Sequence, residues 1–489
     1  MKGYQMLLSE LIQKTNVLKC NTDLNTEIAG ISEKSAQCRE GYAFVCLKGI
    51  HSDGNEYIAE ALANGAKVII TESEPDASVP YVKVENARKA LARMWAAWYG
   101  YPSKSLKLIG ITGTNGKTST AYMLKSILDH AGKRAGLIGT VRYITGENES
   151  DSEMTTPDPE VMQKLLYEMK QSGHEYVVCE VSSHALALDK LDGMEFEMGI
   201  FTNLSQDHLD FHGTLEEYYK AKKKLFSMCK HGVVNIDNIY GKRLVDECNM
   251  DFTTCSVSSN EADICAKNIR TKENSVEYEF LAALNIYRIC CPVPGMFSVY
   301  NSLLAAAAAD KMGISPEYIT GGIKNMGMVL GRMERVETGR DFSIIIDFAH
   351  TPNALQNVLT SIRQYATGRV VCLFGCGGDR DKSKREVMGK IAAENSDYVI
   401  ITSDNPRNED PLAIIEDILK GVRTVDEIKN NYTVIESREE AIRYAIKNAK
   451  TDDTILLAGK GHENYLVDAS GKHPFDERAI VKDELSKGK

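Results

Sequence analysis

The chain has 489 residues, 43% of them hydrophobic and 26% charged, with a formal net charge of −10. Its length suits about three domains of ordinary size, and its composition is that of a globular protein. An acidic chain without a long block of one charge lacks the basic surface that binding to nucleic acid or an anionic membrane needs. We therefore expect no nucleic-acid partner.

Membrane insertion and secretion are also disfavoured by the sequence. The longest apolar run, Leu303 to Ala309, is far below the roughly 18 residues of a membrane span. Glu10 and Lys14 interrupt the amino-terminal leucines, so a signal-peptide core is missing. The twelve cysteines contain no CxxC pair, a pattern that favours free thiols in a reducing cytosol. We expect a cytoplasmic protein without a membrane span.

Short apolar runs rich in Val and Ile alternate with longer amphipathic segments along the chain. Examples of these runs are KLIGITG (107–113), YVVCEVSS (176–183), MGIFTNLS (198–205), GVVNID (232–237), SIIIDFAH (343–350), RVVCLFGCGG (369–378), YVIITSDNPR (398–407) and TILLAGKG (454–461). The alternation predicts an α/β fold with parallel sheets buried on both faces. Polar or glycine-rich residues follow each run, at the sheet edge where ligands bind in such folds.

Two breaks divide the chain into three predicted domains. The first is the turn-forming segment Tyr101 to Ser105, and the second lies near Gly331 and Arg332, before a new series of strands. The predicted domains are residues 1–105, 106–332 and 333–489.

GTNGKTS, Gly113 to Ser119, lies between a predicted strand and a predicted helix. Its glycines allow backbone N–H groups to face a phosphate, Lys117 can neutralise phosphate oxygens and Thr118 can bind Mg²⁺. Ile111 stands where the usual motif has its first glycine, which leaves the shorter pattern GxxGKT. The segment predicts a nucleotide-binding phosphate loop.

Two further groups of polar residues follow predicted strands. Glu180 ends one strand, where a buried carboxylate needs a partner or a metal. His208 follows the next strand and, taken alone, suits a hydrogen-bonded histidine as well as a ligand. Glu and imidazole together suit a Mg²⁺ or Mn²⁺ site, although Mg²⁺ prefers oxygen. The next segment, EEYYKAKKKLFS, is by default a solvated basic helix.

Read as one ordered series, these segments resemble the Mur ligase family. The series is GTNGKTS, EVSSHALAL, TNLSQDHLDFHGT, YYKAKKKLF, GRMERVE, DFAHTPNAL, FGCGGDRDKSKR, SDNPRNEDP and AGKGHENY, and the likeness runs from about residue 28 to Arg478. The resemblance implies a three-domain α/β architecture. Its parts are an amino-terminal domain for a UDP group, a central phosphate-loop ATPase domain with a parallel sheet, and a carboxyl-terminal Rossmann-like domain for an amino acid.

The resemblance also implies roles for single residues. The ATP-binding residues are Gly113, Thr114, Asn115, Gly116, Lys117, Thr118, Ser119, Asn301, Arg332, Asp347 and His350. The catalytic residues are Lys117, Glu180, His208 and Lys222. Thr118, Glu180, His208 and a carbamylated Lys222 are the implied magnesium ligands. A carbamate turns a lysine cation into an anionic oxygen ligand, which explains how Lys222 could serve such a site.

For the substrates, the resemblance implies ATP, UDP-N-acetylmuramoyl-L-alanyl-D-glutamate and meso-diaminopimelate, used by an enzyme that we expect to be a monomer. ATP would convert the D-glutamyl γ-carboxylate into an acyl phosphate, which the amine attacks. The implied amino-acid-binding residues are Arg380, Asp404, Asn405, Pro406, Arg407, Gly459 and Glu463. An arginine can hold the distal carboxylate of diaminopimelate through two bonds but would repel lysine.

The implied UDP-muropeptide site departs most from the family pattern. Its predicted residues are Ser35, Thr155, Thr156, Ser182 and Lys190. The departures are Lys34 and Ala36 beside Ser35, Met154, Leu188, Lys190 in place of arginine, and Leu330. An arginine-to-lysine change loses the planar fork that binds phosphate or carboxylate, so a modified acceptor is one expectation.

Three alternatives remain open. The same ligase could add L-lysine or another amino acid, or the chain could resemble folylpolyglutamate synthase. Ser35 and the turn Ser52 to Gly54, ahead of the phosphate loop, favour the muropeptide substrate over the folate. A phosphate-loop ATPase acting as a switch would hydrolyse ATP without an amino-acid substrate.

Overall fold

The computed structural model describes residues 4–49, 52–283, 285–428 and 430–487. They form two compact units. The first contains residues up to 110 together with 133–199 and 221–230, and the second contains 111–132, 200–220 and residues from 231 onward. The strands Lys107–Thr112, Phe196–Phe201 and Cys229–Asn235 begin in the first unit and end in the second, whereas the helix Leu215–Lys223 begins in the second.

In the first unit, the amino-terminal residues build a five-stranded sheet. Its strands, in spatial order, are Val17–Cys20, Tyr81–Val84, Ala66–Thr71, Tyr42–Val45 and Gly30–Ser32. The first pair is antiparallel and the other pairs are parallel. The helix Ala87–Trp98 buries Leu91, Met94 and Trp95 with the sheet residues of one core. Shorter elements are Met6–Leu7, Leu8–Leu11, Glu27–Ile28 and Ile58–Ala63.

The rest of the first unit surrounds the buried strand Tyr176–Glu180. This strand runs parallel to Ala135–Ile138, which pairs antiparallel with Arg142–Ile144, and that strand pairs with Glu149–Asp151. The helices are Pro159–Gln171 and Ser183–Ala187. All five residues of Tyr176–Glu180 are buried, as its continuous apolar sequence predicts.

In the second unit, the helix Lys117–His130 packs against two later helices, Met296–Lys311 and Pro316–Lys324. Cys229–Asn235 pairs in parallel with Asp251–Ser256, which pairs in parallel with Ile264–Lys272. Ser275–Leu281 then pairs antiparallel with Ile264–Lys272, and Ile286–Cys291 pairs antiparallel with Ser275–Leu281. The antiparallel strands were not anticipated. In Ser275–Leu281 buried residues alternate with partly exposed ones, the period-two pattern that marks such a strand. Shorter helices are Leu209–His212 and Ile239–Glu247.

The apolar run Leu303 to Ala309 lies in the helix Met296–Lys311 and is buried throughout. Its hydrophobic residues therefore fill the protein core. Within the ranges given above, no helix has the length and apolar character of a membrane span.

Residues from 334 onward form a six-stranded sheet in the second unit. Its strands, in spatial order, are Glu334–Val336, Ser343–Asp347, Thr454–Ala458, Val370–Phe374, Tyr398–Ile401 and Tyr432–Val434. All pairs except the first are parallel. A hairpin, Tyr465–Asp468 with Gly471–Pro474, follows the strand Thr454–Ala458.

Helices cover both faces of this six-stranded sheet. Alternate strand residues, such as Ile345 and Ile344, belong to two different cores. The helices Pro352–Arg363, Ser383–Asn395 and Pro411–Val422 pack on the first face, and Arg438–Lys447 and Glu477–Ser486 on the second. The predicted α/β class with doubly covered parallel strands is confirmed.

Candidate active site

The predicted phosphate loop joins the strand Lys107–Thr112 to the helix Lys117–His130. Lys117, the first residue of the helix, donates from Nζ to the carbonyl oxygens of Gly113 and Thr114, both at 3.0 Å. The ammonium is therefore held over the loop at the amino end of the helix. Backbone amides, a helix dipole and a lysine in this order form a site for a phosphate chain.

Thr202 and Asn203 support this loop, a role that sequence reasoning missed. The Thr202 hydroxyl donates to the Asn115 carbonyl at 2.6 Å, and the Asn203 amide both accepts from and donates to the Asn115 backbone, at 3.1 Å each. A Cβ at Gly113 would overlap the Thr202 hydroxyl, so this close approach requires glycine. The signal was the segment TNLSQ after an apolar run, from which only His208 was chosen.

Other residues predicted to bind ATP lie around the loop. The Asn301 side chain approaches Gly116 so closely that a Cβ at Gly116 would overlap its oxygen. Thr118 is buried, and its hydroxyl accepts a hydrogen bond from Arg332 at 3.0 Å. Ser119 follows in the first turn of the helix. The structure thus brings Asn301 and Arg332 to the loop, although both are distant in sequence.

Asp347 and Arg332 meet near the ring of Phe348. Asp347 is buried, its carboxylate accepts from the Met333 amide at 2.7 Å, and burial raises its pKa. The Arg332 guanidinium lies 4.6 Å from the centre of the Phe348 ring. His462 packs on the same ring, with ring centres 5.0 Å apart. Burial and the charge of Arg332 lower the pKa of His462 to about 3, so the imidazole is neutral.

Four neighbouring parallel strands end at one cavity of about 180 Å³. These strands are Ser343–Asp347, Thr454–Ala458, Val370–Phe374 and Tyr398–Ile401. The cavity is lined by six of the seven predicted amino-acid-binding residues, Arg380, Asp404, Asn405, Arg407, Gly459 and Glu463, together with His208 and His350. The seventh, Pro406, is buried within the same loop. This convergence follows from the topology, because carboxyl ends of parallel strands meet at one edge.

The cavity contains two groups of opposite charge. Arg380 and Arg407 both flank Gly377, and burial together with the charge of Arg380 lowers the pKa of Arg407. Asp404 and Glu463 form the second group, where burial and the nearby Asp404 raise the pKa of Glu463. A ligand that carries a carboxylate and an ammonium a few bonds apart can satisfy both groups.

Asp207 links three cationic or titratable side chains at this cavity and was missed by sequence reasoning. Its carboxylate lies 3.3 Å from His208 Nε2, 3.8 Å from His350 Nε2 and 3.8 Å from Lys384 Nζ. Burial opposes its ionisation, but the hydrogen bond from His350 and the charges of His208 and Lys384 hold the pKa of Asp207 far below its usual range. Asp207 therefore stays anionic and orients these groups.

In the first unit, Glu180 is fully buried. Its two carboxylate oxygens accept from the backbone amide and the hydroxyl of Thr140, both at 2.8 Å. Lys222 is also buried, with 1% of its surface exposed. The default interpretation of Lys222 as part of a solvated face is therefore wrong, because the helix turns this residue inward.

The magnesium ligands stay a prediction. Glu180 and Lys222 belong to the first unit, whereas Thr118 and His208 belong to the second. The described residues contain no cluster of three or more His, Cys, Asp or Glu side chains suited to a metal. The predicted set differs from such a cluster, since it includes a threonine hydroxyl and a carbamate. Oxygen donors of this kind match the preference of Mg²⁺.

Most residues predicted for the UDP-muropeptide occupy one region of the first unit. Thr155 accepts from Thr140 at 3.1 Å, and Thr156 donates to the Glu180 carbonyl at 2.8 Å. The Ser182 amide donates to the Thr156 hydroxyl at 2.9 Å, and the Ser182 side chain caps the helix that follows. Thr155, Thr156 and Ser182 thus share a hydrogen-bond network with the buried Glu180.

The other two predicted UDP-site residues are engaged in side-chain contacts. Lys190 forms an ion pair with Asp158 at 2.6 Å. Ser35 donates to Glu60 at 2.7 Å from a different part of the unit, the amino-terminal sheet. Both side chains are therefore held by carboxylates of the protein itself.

Profiles of one protein family match most of the chain. The Mur ligase family catalytic domain matches residues 27–99, the Mur ligase middle domain residues 111–309, and the Mur ligase glutamate ligase domain residues 331–461. The chain belongs to the Mur ligase family and has its three-domain α/β architecture.

Individual relatives within the family are similar to this chain over nearly its whole length. A protein named UDP-N-acetylmuramoyl-L-alanyl-D-glutamate--2,6-diaminopimelate ligase 1, from Clostridium acetobutylicum, is 44% identical over 94% of this chain and 95% of its own length. A protein from Clostridioides difficile named UDP-N-acetylmuramoyl-L-alanyl-D-glutamate--2,6-diaminopimelate ligase is 41% identical over 99% of this chain and 100% of its own length.

Solved structures agree with this fold. One named as a 2,6-diaminopimelate ligase of the same type has a TM-score of 0.69 at 28% identity and covers 99% of each chain. MurF from Acinetobacter baumannii has a TM-score of 0.66 with the same coverage, and at 19% identity it shows the fold alone.

Proposed function

We propose that this chain is an ATP-dependent ligase that joins meso-diaminopimelate to UDP-N-acetylmuramoyl-L-alanyl-D-glutamate through an amide bond. The observation that carries this proposal is the cavity lined by the cations Arg380 and Arg407 and by the carboxyl groups of Asp404 and Glu463. Beyond its reacting amine, diaminopimelate presents one ammonium and one carboxylate, which suit these two groups. Relatives between 38% and 44% identical carry the corresponding name.

The same cavity disfavours the alternative amino acid. L-lysine ends in an ammonium without a carboxylate, so Arg407 and Arg380 would repel its far end and remain unpaired. A folylpolyglutamate synthase shares the fold at 15% identity and a TM-score of 0.62, and that likeness concerns architecture alone. Diaminopimelate is therefore the substrate that the charges support best.

The reaction proceeds in two steps. An oxygen of the D-glutamyl γ-carboxylate attacks the γ-phosphorus of ATP, which forms an acyl phosphate and releases ADP. The neutral amine of diaminopimelate then attacks the acyl carbon, phosphate leaves with the bonding electrons, and the amine loses a proton. Lys117 offsets negative charge on the transferred phosphoryl group, and Arg407 holds the amino acid so that its amine reaches the acyl carbon.

We propose that Glu180, His208 and carbamylated Lys222 serve a catalytic magnesium ion and that Thr118 holds a second one, linked to ATP. These cations would supply charge neutralisation at the phosphates and the acyl phosphate. Glu180 is buried and its two oxygens are oriented by hydrogen bonds from Thr140, and carboxylate oxygens are ligands that Mg²⁺ prefers.

The acceptor and the location complete the proposal. The UDP-muropeptide would be contacted by Thr155, Thr156, Ser182, Lys190 and Ser35. The domain boundaries would lie after residues 105 and 332. Because ATP and nucleotide-linked precursors are cytoplasmic, the enzyme would act in the cytoplasm, and we propose that it does so as a monomer.

The proposal is tested by measuring ADP release with each substrate omitted in turn. A ligase releases ADP over many turnovers only when both the UDP-dipeptide and diaminopimelate are present, because without the amine the reaction stops at one acyl phosphate per enzyme. A phosphate-loop switch would release ADP without them, and that outcome would reject the ligase assignment.

A further inference from the structure

Two fully buried cations, Lys460 and Arg438, lie behind the acidic group of the amino-acid cavity. Neither exposes its side chain to solvent, and neither lines the cavity. A buried cation is costly unless it is paired, so its position needs an explanation in terms of its partners.

Lys460 fixes the acceptors of the cavity from behind. Its Nζ donates to Asn405 Oδ1 at 2.9 Å and to the Tyr465 carbonyl at 2.8 Å, and it lies 3.5 Å from Glu463 Oε2. Asn405 donates in turn from Nδ2 to that same Glu463 oxygen at 2.9 Å. One ammonium therefore fixes which way the Asn405 amide and the Glu463 carboxylate point.

Arg438 lies behind Asp404, as Lys460 lies behind Asn405 and Glu463. It donates to Glu477 at 2.7 Å and to the Ala458 carbonyl at 2.7 Å. Its remaining nitrogen, Nη1, lies 3.9 Å from Asp404 Oδ2 and has no hydrogen-bond partner among the described residues. Burial opposes ionisation of Asp404, but the charges of Lys460 and Arg438 hold its pKa below the usual range.

The carboxylates of this group divide between the cavity wall and the interior. Glu477 is fully buried and pairs with Arg438, whereas Asp404 and Glu463 line the cavity. Arg407, on the cavity wall, also interacts electrostatically with Asp404 and Glu463. The two carboxylates that the buried cations hold are therefore the ones presented to the ligand.

We propose that Lys460 and Arg438 are positioning residues that set the specificity of the cavity for an amino acid with a second ammonium group. They orient Asp404, Asn405 and Glu463 toward that ammonium without touching the substrate. This inference rests on the proposed function, since the second ammonium is the distal one of diaminopimelate.

The test compares diaminopimelate with 2-aminopimelate, which keeps the reacting amine and both carboxylates but lacks the distal ammonium. Lys460→Met removes the charge at similar side-chain volume. We expect the KM for diaminopimelate to rise about tenfold or more, since a hydrogen bond to a charged group contributes roughly a tenfold factor or above. The preference for diaminopimelate over 2-aminopimelate in kcat/KM should fall by a similar factor, while kcat and the KM for ATP change little.

Lys472→Met is the matched control, because Lys472 is exposed and lies 3.9 Å from the Tyr465 ring on the same hairpin. It should keep the wild-type preference. Arg438→Gln, with Arg438→Lys as the charge-retaining partner, is an independent test if Lys460→Met does not fold. Arg438→Gln should lose preference and Arg438→Lys should retain more of it.

A folded Lys460→Met or Arg438→Gln enzyme with an unchanged preference overturns the inference, as does an equal loss for both amino acids. A wild-type enzyme that does not use diaminopimelate rejects the proposed function instead, so the two failures are distinguishable.

Discussion

Arg407 adopts a left-handed backbone conformation, with φ of 54°, at the edge of the amino-acid cavity. Its Nη1 donates to the Gly378 carbonyl at 2.7 Å, which orients the guanidinium. A side chain held in this way loses little freedom when it binds a carboxylate. The preference for diaminopimelate over L-lysine should therefore depend strongly on Arg407.

Replacing Arg407 by alanine should lower kcat/KM for diaminopimelate by roughly ten- to a few-hundredfold, because a charge-assisted contact contributes about 1.5–3 kcal/mol. Arg407→Lys should recover part of the loss, and use of L-lysine should be no worse in either variant. Steady-state kinetics with both amino acids measure this. Arg423→Ala is the control, since Arg423 is exposed and pairs with Glu416 on the surface. Equal loss of both substrates would mean that Arg407 only supports the loop.

Lys222 should carry a carbamate in the active enzyme. Lys222→Ala should be inactive and partly rescued by short carboxylic acids, which restore an oxygen ligand. Activity with added acetate or formate measures this rescue, and the exposed Lys220→Ala is the control on the same helix. Full activity with an unmodified amine, shown by mass analysis in bicarbonate, would refute the carbamate.

The sequence predicted the side chains that line the amino-acid cavity better than it predicted the side chains that support them. Arg407 and Glu463 stand in loops directly after apolar runs, where a parallel sheet places ligand contacts. Lys460 lies in such a loop too, but its burial and its bonds to Asn405 arise only in three dimensions. Asp207 was missed for the same reason, since Lys384 and His350 reach it from distant segments.

At the scale of elements, the apolar runs predicted buried strands such as Tyr176–Glu180 and Val370–Phe374, because burial on both faces demands continuous apolar sequence. The strand Ser275–Leu281 was not predicted because its buried residues alternate with partly exposed ones and do not form a continuous apolar run. The phosphate loop was predicted from its glycines, but its dependence on Thr202 required the structure.

Gly113→Ala should abolish ATP-dependent turnover, because the new Cβ would overlap the Thr202 hydroxyl and displace the loop. Gly132→Ala is the matched control. Gly132 also has a positive φ, 69°, but nothing lies near its Cβ position, so the change should cost only about 1 kcal/mol of stability and leave turnover intact. ATP affinity and unfolding free energies measure both effects. Normal turnover in Gly113→Ala would contradict the loop geometry.

At the scale of the whole molecule, buried titratable groups make the free energy of unfolding depend on pH. The pKa of His462 is lowered from 6.5 to about 3 in the folded protein. Between these values the unfolded chain binds more protons, so stability is lost as the pH falls through this window. Burial raises the pKa of Asp347 and Glu463. These two carboxyl groups therefore contribute stability that is gained, not lost, as the pH falls.

His462→Gln isolates the contribution of His462 to the pH dependence of stability, because Asp347 and Glu463 are present in both proteins. The stability difference between wild type and variant should shrink by about 2 kcal/mol between pH 7 and pH 5, since one pKa unit corresponds to about 1.36 kcal/mol. Urea denaturation at both pH values measures it. A difference that does not change with pH would show that His462 titrates normally.

The most direct test of the account is the identity of the amide formed. Purified enzyme, ATP and UDP-N-acetylmuramoyl-L-alanyl-D-glutamate should be incubated with an equimolar mixture of meso-diaminopimelate and L-lysine, and the products weighed by mass spectrometry. We predict the UDP-linked tripeptide that contains diaminopimelate, in at least about tenfold excess, because Arg407 alone accounts for about that factor. A product that contains mainly lysine, or ADP without any tripeptide, would contradict the account.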